Sequence, residues 1–195
     1  MLSSRFKDRS TSLVNPIARF MIGIGLSPNM LTTLGLITSI GVAVFLTKDS
    51  LISALVFLLF TSFFDVMDGA VARVSNNTSK FGGYLDSIFD RYADATILLG
   101  IALYLDGYYI LIFLVLVGSL LVSYSRSRAE NFLPKCDVGI AERAERLIIL
   151  ILATLIEILG ILPRGRAFFI ALVILVVLTH LTVLQRGLYT KARLR

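Results

Sequence analysis

The sequence predicts an all-α polytopic membrane protein, with six transmembrane helices preceded by an N-terminal interfacial amphipathic helix, and three observations carry that prediction. Hydrophobic residues make up 56% of the 195-residue chain and charged residues only 16%, with a mean hydropathy of +0.85, a balance that excludes an ordinary soluble domain. Apolar windows recur at 30–46, 51–64, 93–105, 108–123, 147–162 and 167–184. Lysine and arginine crowd into alternate connections between those windows.

Taken in order, residues 1–27 form a juxtamembrane segment in which Phe6, Leu13, Ile17, Phe20 and Met21 recur at near-helical spacing among Arg5, Arg9 and Arg19. That pattern predicts a helix lying in the headgroup region, with Pro16 as a point of bending. Ser27 is placed to cap the first spanning helix and Pro28 to open it. Several windows are shorter than the ~20 residues a span needs, but each extends into semi-polar flanks, as 51–64 does through Asp65 to Ala72. The expected organisation is one domain over 1–195, with a six-helix bundle at 28–190.

The polar connection from Val74 to Lys80 is short, so the second and third spans form an antiparallel pair. The connection over 126–146 is too long for a tight turn, and Pro134 and Gly139 interrupt it. Arg126 is followed by Glu130 and Glu142 by Arg146, each at i+4, so part of this charge is expected to pair internally. Arg5, Lys7, Arg9 and Arg19, the 73–80 loop, the 126–146 connection and the tail (Arg186, Lys191, Arg193, Arg195) hold nearly all the cations. The opposite loops offer Lys48, Arg164 and Arg166, so both termini are expected in the cytosol. Cys136 is expected to be an ordinary thiol and His180 a packed or backbone-bonded imidazole.

Function is concentrated in Asp65-x-x-Asp68-Gly69-x-x-Ala72-Arg73, eight residues, then Gly82-x-x-x-Asp86-x-x-x-Asp90. On helices, Asp65 and Asp68 share a face, as do Asp86 and Asp90. A carboxylate at the centre of a bilayer costs roughly 2.5–3.5 kcal/mol on insertion scales, so a cluster of them calls for cations. Carboxylate oxygens without cysteine or histidine select Mg²⁺ or Mn²⁺ over Zn²⁺, and four facing aspartates suit two such ions binding phosphates. Gly69 and Gly82 leave room for a ligand against the backbone, and Arg73 is placed to pair with a phosphate oxygen. The combination describes a diphosphate-bearing nucleotide site at the cytosolic ends of the second and third spans. Asn29 and Thr32 lie level with it, and both capping and ligand contact are open to them.

These residues reproduce every position of D-x2-D-G-x2-A-R-x8-G-x3-D-x3-D, and the chain thereby resembles the CDP-alcohol phosphotransferase family. The resemblance implies that Asp65, Asp68, Asp86 and Asp90 bind the metals and that Asp90 also serves as base. It implies that Gly69, Ala72, Arg73 and Gly82 surround the CDP moiety. The implied reaction is attack of an acceptor hydroxyl on the lipid-linked phosphorus of a CDP-lipid, releasing CMP, in a homodimer. No nucleic-acid partner is expected.

The motif is silent on the acceptor. Several arginines converging beside a metal site suit an anionic acceptor better than a neutral alcohol, although positive-inside topology alone also places arginines there. The segments at 123–130 and 139–147, and the Asp90-Arg91-Tyr92-Ala93-Asp94 run, resemble the phosphatidylinositol phosphate synthase branch and its archaeal counterpart. That likeness implies inositol 1-phosphate as acceptor, with its phosphate held by Arg126, Arg143 or Arg146, and Arg186. Asp94 is open to orienting a metal ligand, contacting acceptor hydroxyls or pairing with a cation. The lipid is CDP-archaeol or CDP-diacylglycerol. The runner-up is a phosphatidylglycerophosphate synthase. Intramembrane prenyl transfer and a cation-coupled transporter are the remaining alternatives, the latter lacking the repeats it would show.

Overall fold

Short polar or glycine-containing breaks divide the chain into helices throughout residues 14–76 and 78–194, which the computed structural model describes. α1 covers 14–23. It is followed by α2 (Pro28–Thr47), α3 (Leu51–Val74), α4 (Lys80–Leu105), α5 (Tyr109–Ala129), α6 (Arg143–Ile158) and α7 (Arg166–Arg193). Phe6 and Leu13 of the expected amphipathic helix lie outside the described residues. Within α1, Ala18 and Met21 are buried against Leu31 of α2 and Met67, Ala70 and Val71 of α3. Ile17 and Phe20 point outward.

Helix starts are set by local chemistry. Ser27 caps α2, its hydroxyl accepting from Met30 N–H at 3.3 Å, with Pro28 in the first turn. Ser79 caps α4 in the same way, accepting from Gly82 N–H at 2.9 Å. α4 therefore begins at Lys80, well before the apolar window at 93, because hydropathy is diluted there by Asp86, Asp90, Arg91 and Asp94.

Four helices, α2, α3, α5 and α7, are long and apolar enough to cross a membrane. α4 has the length, 26 residues, but carries those charges, and α6 has 16 residues, below the ~20 of an untilted span. Ile37, Val44, Ile52, Phe113, Ile174 and Leu184 expose apolar surface along the helices, a pattern that water does not tolerate and lipid does. The chain is a multi-pass membrane protein.

Both α3 and α4 pack most extensively on α2, rather than on each other as a plain antiparallel pair. Gly100 makes this possible on the α4 side, since a Cβ there would lie 2.5 Å from Ala43 Cα. α6 joins α3 to α7, α5 packs on α7, and a more limited contact joins α4 to α5. At the end remote from the aspartates, buried Glu157 of α6 accepts from the N–H groups of Gly165 (3.0 Å) and Ala167 (2.9 Å), closing the start of α7. A core running from Val42 and Leu58 to Phe168 and Leu175 fills the space between these helices.

Candidate active site

α3 and α4 present their aspartates across a shared gap. Carboxylate oxygens of Asp65, Asp86 and Asp90 all lie within 4.8 Å of one another. Such charges repel at this distance, and the protein's own compensation is Arg143 from α6. Its guanidinium pairs with Asp65 and Asp90, and its Nε lies 3.4 Å from Asp94. Packing of α6 on α3 brings it there. The donor set is entirely hard oxygen, with neither sulfur nor imidazole in the group, which fits a divalent cation of the Mg²⁺ or Mn²⁺ type. Asp68 adjoins the triad through Asp86, its side-chain hydrogen-bond neighbour; it is 7% exposed, and it accepts from the Thr32 hydroxyl at 2.8 Å and Gly69 N–H at 2.5 Å.

On one side of the gap is a cavity of about 140 Å³ lined by Asn29, Thr32, Asp68, Gly69, Ala72, Ser79, Gly82 and Asp86. Its space exists because side chains are missing. A Cβ on Gly82 would sit 3.0 Å from Ser79 Oγ and 3.1 Å from Asn29 Oδ1, and one on Gly69 would sit 3.2 Å from the Arg73 guanidinium. Arg73 does not line this cavity. It is exposed, folds back over Gly69, and pairs with no carboxylate among the described residues.

On the other side lies a cavity of about 660 Å³, lined by Asp90, Asp94, Arg126, Arg143, Arg146 and Arg186 together with Arg91, Glu130, Glu142 and the neutral groups Ser87, Ser123, Ser127 and Asn131. All four arginines singled out from sequence meet here, and each is already engaged. Arg126 pairs with Glu130 (3.1 Å), Glu142 (3.2 Å) and Asp137 (3.4 Å). Arg146 pairs with Asp94 at 2.5 Å and donates to Ala141 C=O at 3.0 Å. Arg186, 2% exposed, donates to Val138 C=O at 2.8 Å and to Val122 C=O, and pairs with Glu142 at 3.1 Å.

The expected Glu142–Arg146 pairing is not formed. Glu142 is the extended residue preceding α6, so its side chain leaves the helical i+4 line and turns to Arg126 and Arg186 instead. The Arg126–Glu130 pair forms as expected, both residues being helical or nearly so. Asp94 pairs with cations, Arg143 and Arg146.

Some residues that shape the site gave little sign in the sequence. Thr182 Oγ1 accepts from the N–H groups of Ile140 (3.2 Å) and Ala141 (3.1 Å), strapping the segment before α6 onto α7. Gly139 lies under the strap at φ +136°, and a Cβ there would come within 2.6 Å of the Thr182 methyl. Gly139 was legible only as a helix breaker; Thr182 is one of many apolar-helix threonines. Arg91 sits in the Asp-Arg-Tyr-Ala-Asp run, lines the larger cavity and donates to Ser87 C=O. Cys136 is fully buried, and His180 Nδ1 is 2.9 Å from Val176 C=O, the packed role expected of it.

Known proteins resemble this chain in sequence and in fold. The archaetidylinositol phosphate synthase of Pyrococcus horikoshii is 37% identical over 193 residues, covering 98% of this chain and 97% of its own. That of Methanothermobacter thermautotrophicus is 36% identical over 194 residues, covering 98% and 95%. Among solved structures, the phosphatidylinositol phosphate synthase of Mycobacterium tuberculosis with CDP-DAG bound superposes with a TM-score of 0.78 at 30% identity, covering 92% of this chain and 93% of that one. The same enzyme in complex with manganese and citrate also gives 0.78, covering 91% and 88%. The CDP-alcohol phosphatidyltransferase family profile matches residues 25–189, a span that holds both cavities and every aspartate between them, and the chain is a member of that family.

Proposed function

We propose that this protein transfers the lipid phosphate moiety of a CDP-linked lipid, CDP-archaeol or CDP-diacylglycerol, to a hydroxyl of inositol 1-phosphate, releasing CMP. The observation that carries this reading is the pair of unlike cavities meeting at the aspartates, Asp86 lining one and Asp90 the other. The names of the relatives point the same way. The larger cavity supports a phosphorylated polyol because it offers arginines for phosphate and, in Ser87, Ser123, Ser127 and Asn131, neutral groups for ring hydroxyls. Glycerol 3-phosphate would use the arginines and leave much of the rest unmatched.

In this reading Asp65, Asp68, Asp86 and Asp90 hold Mg²⁺ or Mn²⁺, two ions, and the chemistry such ions supply when bound is neutralisation of charge on the diphosphate and the departing CMP. Gly69, Ala72 and Gly82 admit the CDP moiety against the backbone, beside Asn29 and Thr32, and Arg73 swings from Gly69 to a phosphate oxygen. Asp90 takes the proton of the attacking hydroxyl as the new oxygen–phosphorus bond forms and the bond to CMP breaks. Arg126, Arg143, Arg146 and Arg186 hold or aim toward the acceptor phosphate. All six helices α2–α7 span the bilayer over 28–190, and α1 belongs to an interfacial amphipathic segment over 1–27. The cation distribution supports cytosolic termini and a cytosolic active site. The family resemblance supports a homodimer.

The test is a radiolabel assay with the purified protein, CDP-lipid and Mg²⁺, comparing inositol 1-phosphate with glycerol 3-phosphate. A higher kcat/KM for inositol 1-phosphate, with CMP released in equal amount, is expected. Preference for glycerol 3-phosphate would reassign the acceptor and leave the donor chemistry intact.

A further inference from the structure

Inside a cavity read as a phosphate pocket, one negatively charged side chain stands where the cations converge. Glu142 Oε1 accepts from Arg126 Nη1 at 3.2 Å and from Arg186 Nη2 at 3.1 Å. One oxygen thus joins a guanidinium of α5 to one of α7. Arg126 has further partners in Glu130 and Asp137, but among the described residues Glu142 is the one carboxylate paired with Arg186. Arg186 is held in place by backbone carbonyls of Val122 and Val138, so its charge is fixed at this point whatever fills the cavity.

Glu142 itself is loosely held. Its side chain is 47% exposed, whereas that of Arg186 is 2% exposed. It occupies the N-cap position of α6, yet makes no side-chain hydrogen bond to that helix. An acid at a helix N-terminus ordinarily gains from the exposed N–H groups there, and this one turns to the arginines instead. Its contacts are therefore both monodentate and detachable, while Arg186, the buried cation it touches, is anchored.

We propose that Glu142 is a specificity-determining residue for the acceptor: an internal anion that fills the point where Arg126 and Arg186 converge and that a phosphate monoester displaces. This deepens the acceptor reading above and rests on it. A phosphate monoester brings roughly −1.5 to −2 charges and three acceptor oxygens at neutral pH, against one charge and two oxygens for the carboxylate. It can replace both contacts and add others. A neutral polyol cannot, because entry would leave the buried Arg186 charge without a counterion. Singly charged anions gain little over the carboxylate already present. The pocket is then selective without being strongly basic.

The experiment uses the full-length protein in detergent with saturating CDP-lipid and Mg²⁺, comparing Glu142→Gln with wild type. Glutamine keeps the size and an acceptor oxygen but removes the charge, and Glu145→Gln removes the same charge from an exposed site on the same helix that touches none of these arginines. Glu142→Gln is expected to lower KM for inositol 1-phosphate and the competitive Ki of inorganic phosphate, each by about fivefold, with the CDP-lipid KM unchanged. Formate, a singly charged anion, should become a measurable inhibitor of the variant. Glu145→Gln should match wild type. An unchanged or raised acceptor KM and phosphate Ki in Glu142→Gln overturns the proposal, the raised case making Glu142 a positioning residue. Calorimetric titration with inorganic phosphate separates this from the functional reading. Tighter phosphate binding by Glu142→Gln without turnover of inositol 1-phosphate sinks the acceptor assignment alone; turnover with equal phosphate affinity in all three proteins sinks the role of Glu142 alone.

Discussion

Around the cavity of about 140 Å³ the decisive residues are Gly69, Ala72 and Gly82, whereas around the cavity of about 660 Å³ they are arginines with acids at their sides. The first is made by omission: each glycine marks a place where one carbon would strike Ser79, Asn29 or the Arg73 guanidinium. The second is made by supply, with Glu130, Glu142, Asp94 and Asp90 balancing most of the charge that Arg126, Arg143, Arg146 and Arg186 bring. The difference teaches what each tolerates. Added atoms damage the first, and altered charge retunes the second. Between them stand Asp65, Asp86 and Asp90, of which Asp86 lines the first cavity and Asp90 the second.

The largest effect should therefore come from the aspartates at this junction and from Asp68 beside it. Asp65→Asn, Asp68→Asn or Asp86→Asn is expected to abolish turnover, on the order of 10³-fold or more, even at saturating metal, because a divalent cation loses a charged ligand. Electron paramagnetic resonance of bound Mn²⁺ should report weaker binding in parallel. Wild-type-like turnover in any of the three defeats the metal assignment for that residue. Asp90→Asn should lower kcat by about 10²-fold while CDP-lipid binding is less affected. Loss of binding together with turnover would make Asp90 principally a ligand.

A smaller, crossed pair of substitutions separates the cavities. Gly82→Ala should raise the CDP-lipid KM by about tenfold with little change for the acceptor, since the new methyl group meets Ser79 and Asn29 at hydrogen-bond range. Arg126→Gln should do the reverse, raising the acceptor KM by about tenfold through loss of a charge-assisted bond. Arg164→Gln, at the opposite end of the molecule, serves as control. If both variants shift both KM values equally, the cavities are not independent and the comparison fails. Arg186 is a poorer probe of the same point, because its bonds to Val122 and Val138 tie its removal to folding.

The two cavities also differ in how far the sequence reveals them. The smaller one is lined largely from a single motif spanning Asp68 to Asp86, so periodicity and spacing locate it without any knowledge of tertiary contacts. The larger one draws on residues from Ser87 to Arg186. Positive-inside topology explains every arginine there singly, and only packing shows that they converge. The Thr182 strap and the turning of Glu142 depend on backbone geometry before α6, which no local pattern encodes. The helical class was legible for the opposite reason: six apolar windows each fall within a helix or overlap one. The start of α4 was legible from the polar connection ending at Lys80 and not from hydropathy, which the charges at Asp86, Asp90, Arg91 and Asp94 mask, and the cap at Ser79 fixes it there.

The smallest effect on activity should come from the end of the bundle that touches neither cavity. Glu157 is 8% exposed and accepts from Gly165 N–H, Ala167 N–H and, at 3.4 Å, the Tyr104 hydroxyl. Its charge lies at the N-terminus of α7, where the helix dipole favours an anion. In Glu157→Gln one oxygen is replaced by an amide NH₂, which faces a backbone N–H and cannot accept from it. The loss is about 1–3 kcal/mol, read as a fall of a few degrees in the thermal midpoint in detergent, with both KM values unchanged. α7 carries Thr182 and Arg186 at its other end, so an altered acceptor KM in this variant would mean that the start of the helix and the strap near its finish move as one unit. In that case the larger cavity depends on the whole length of α7, and charge balance around the arginines is only part of what shapes it.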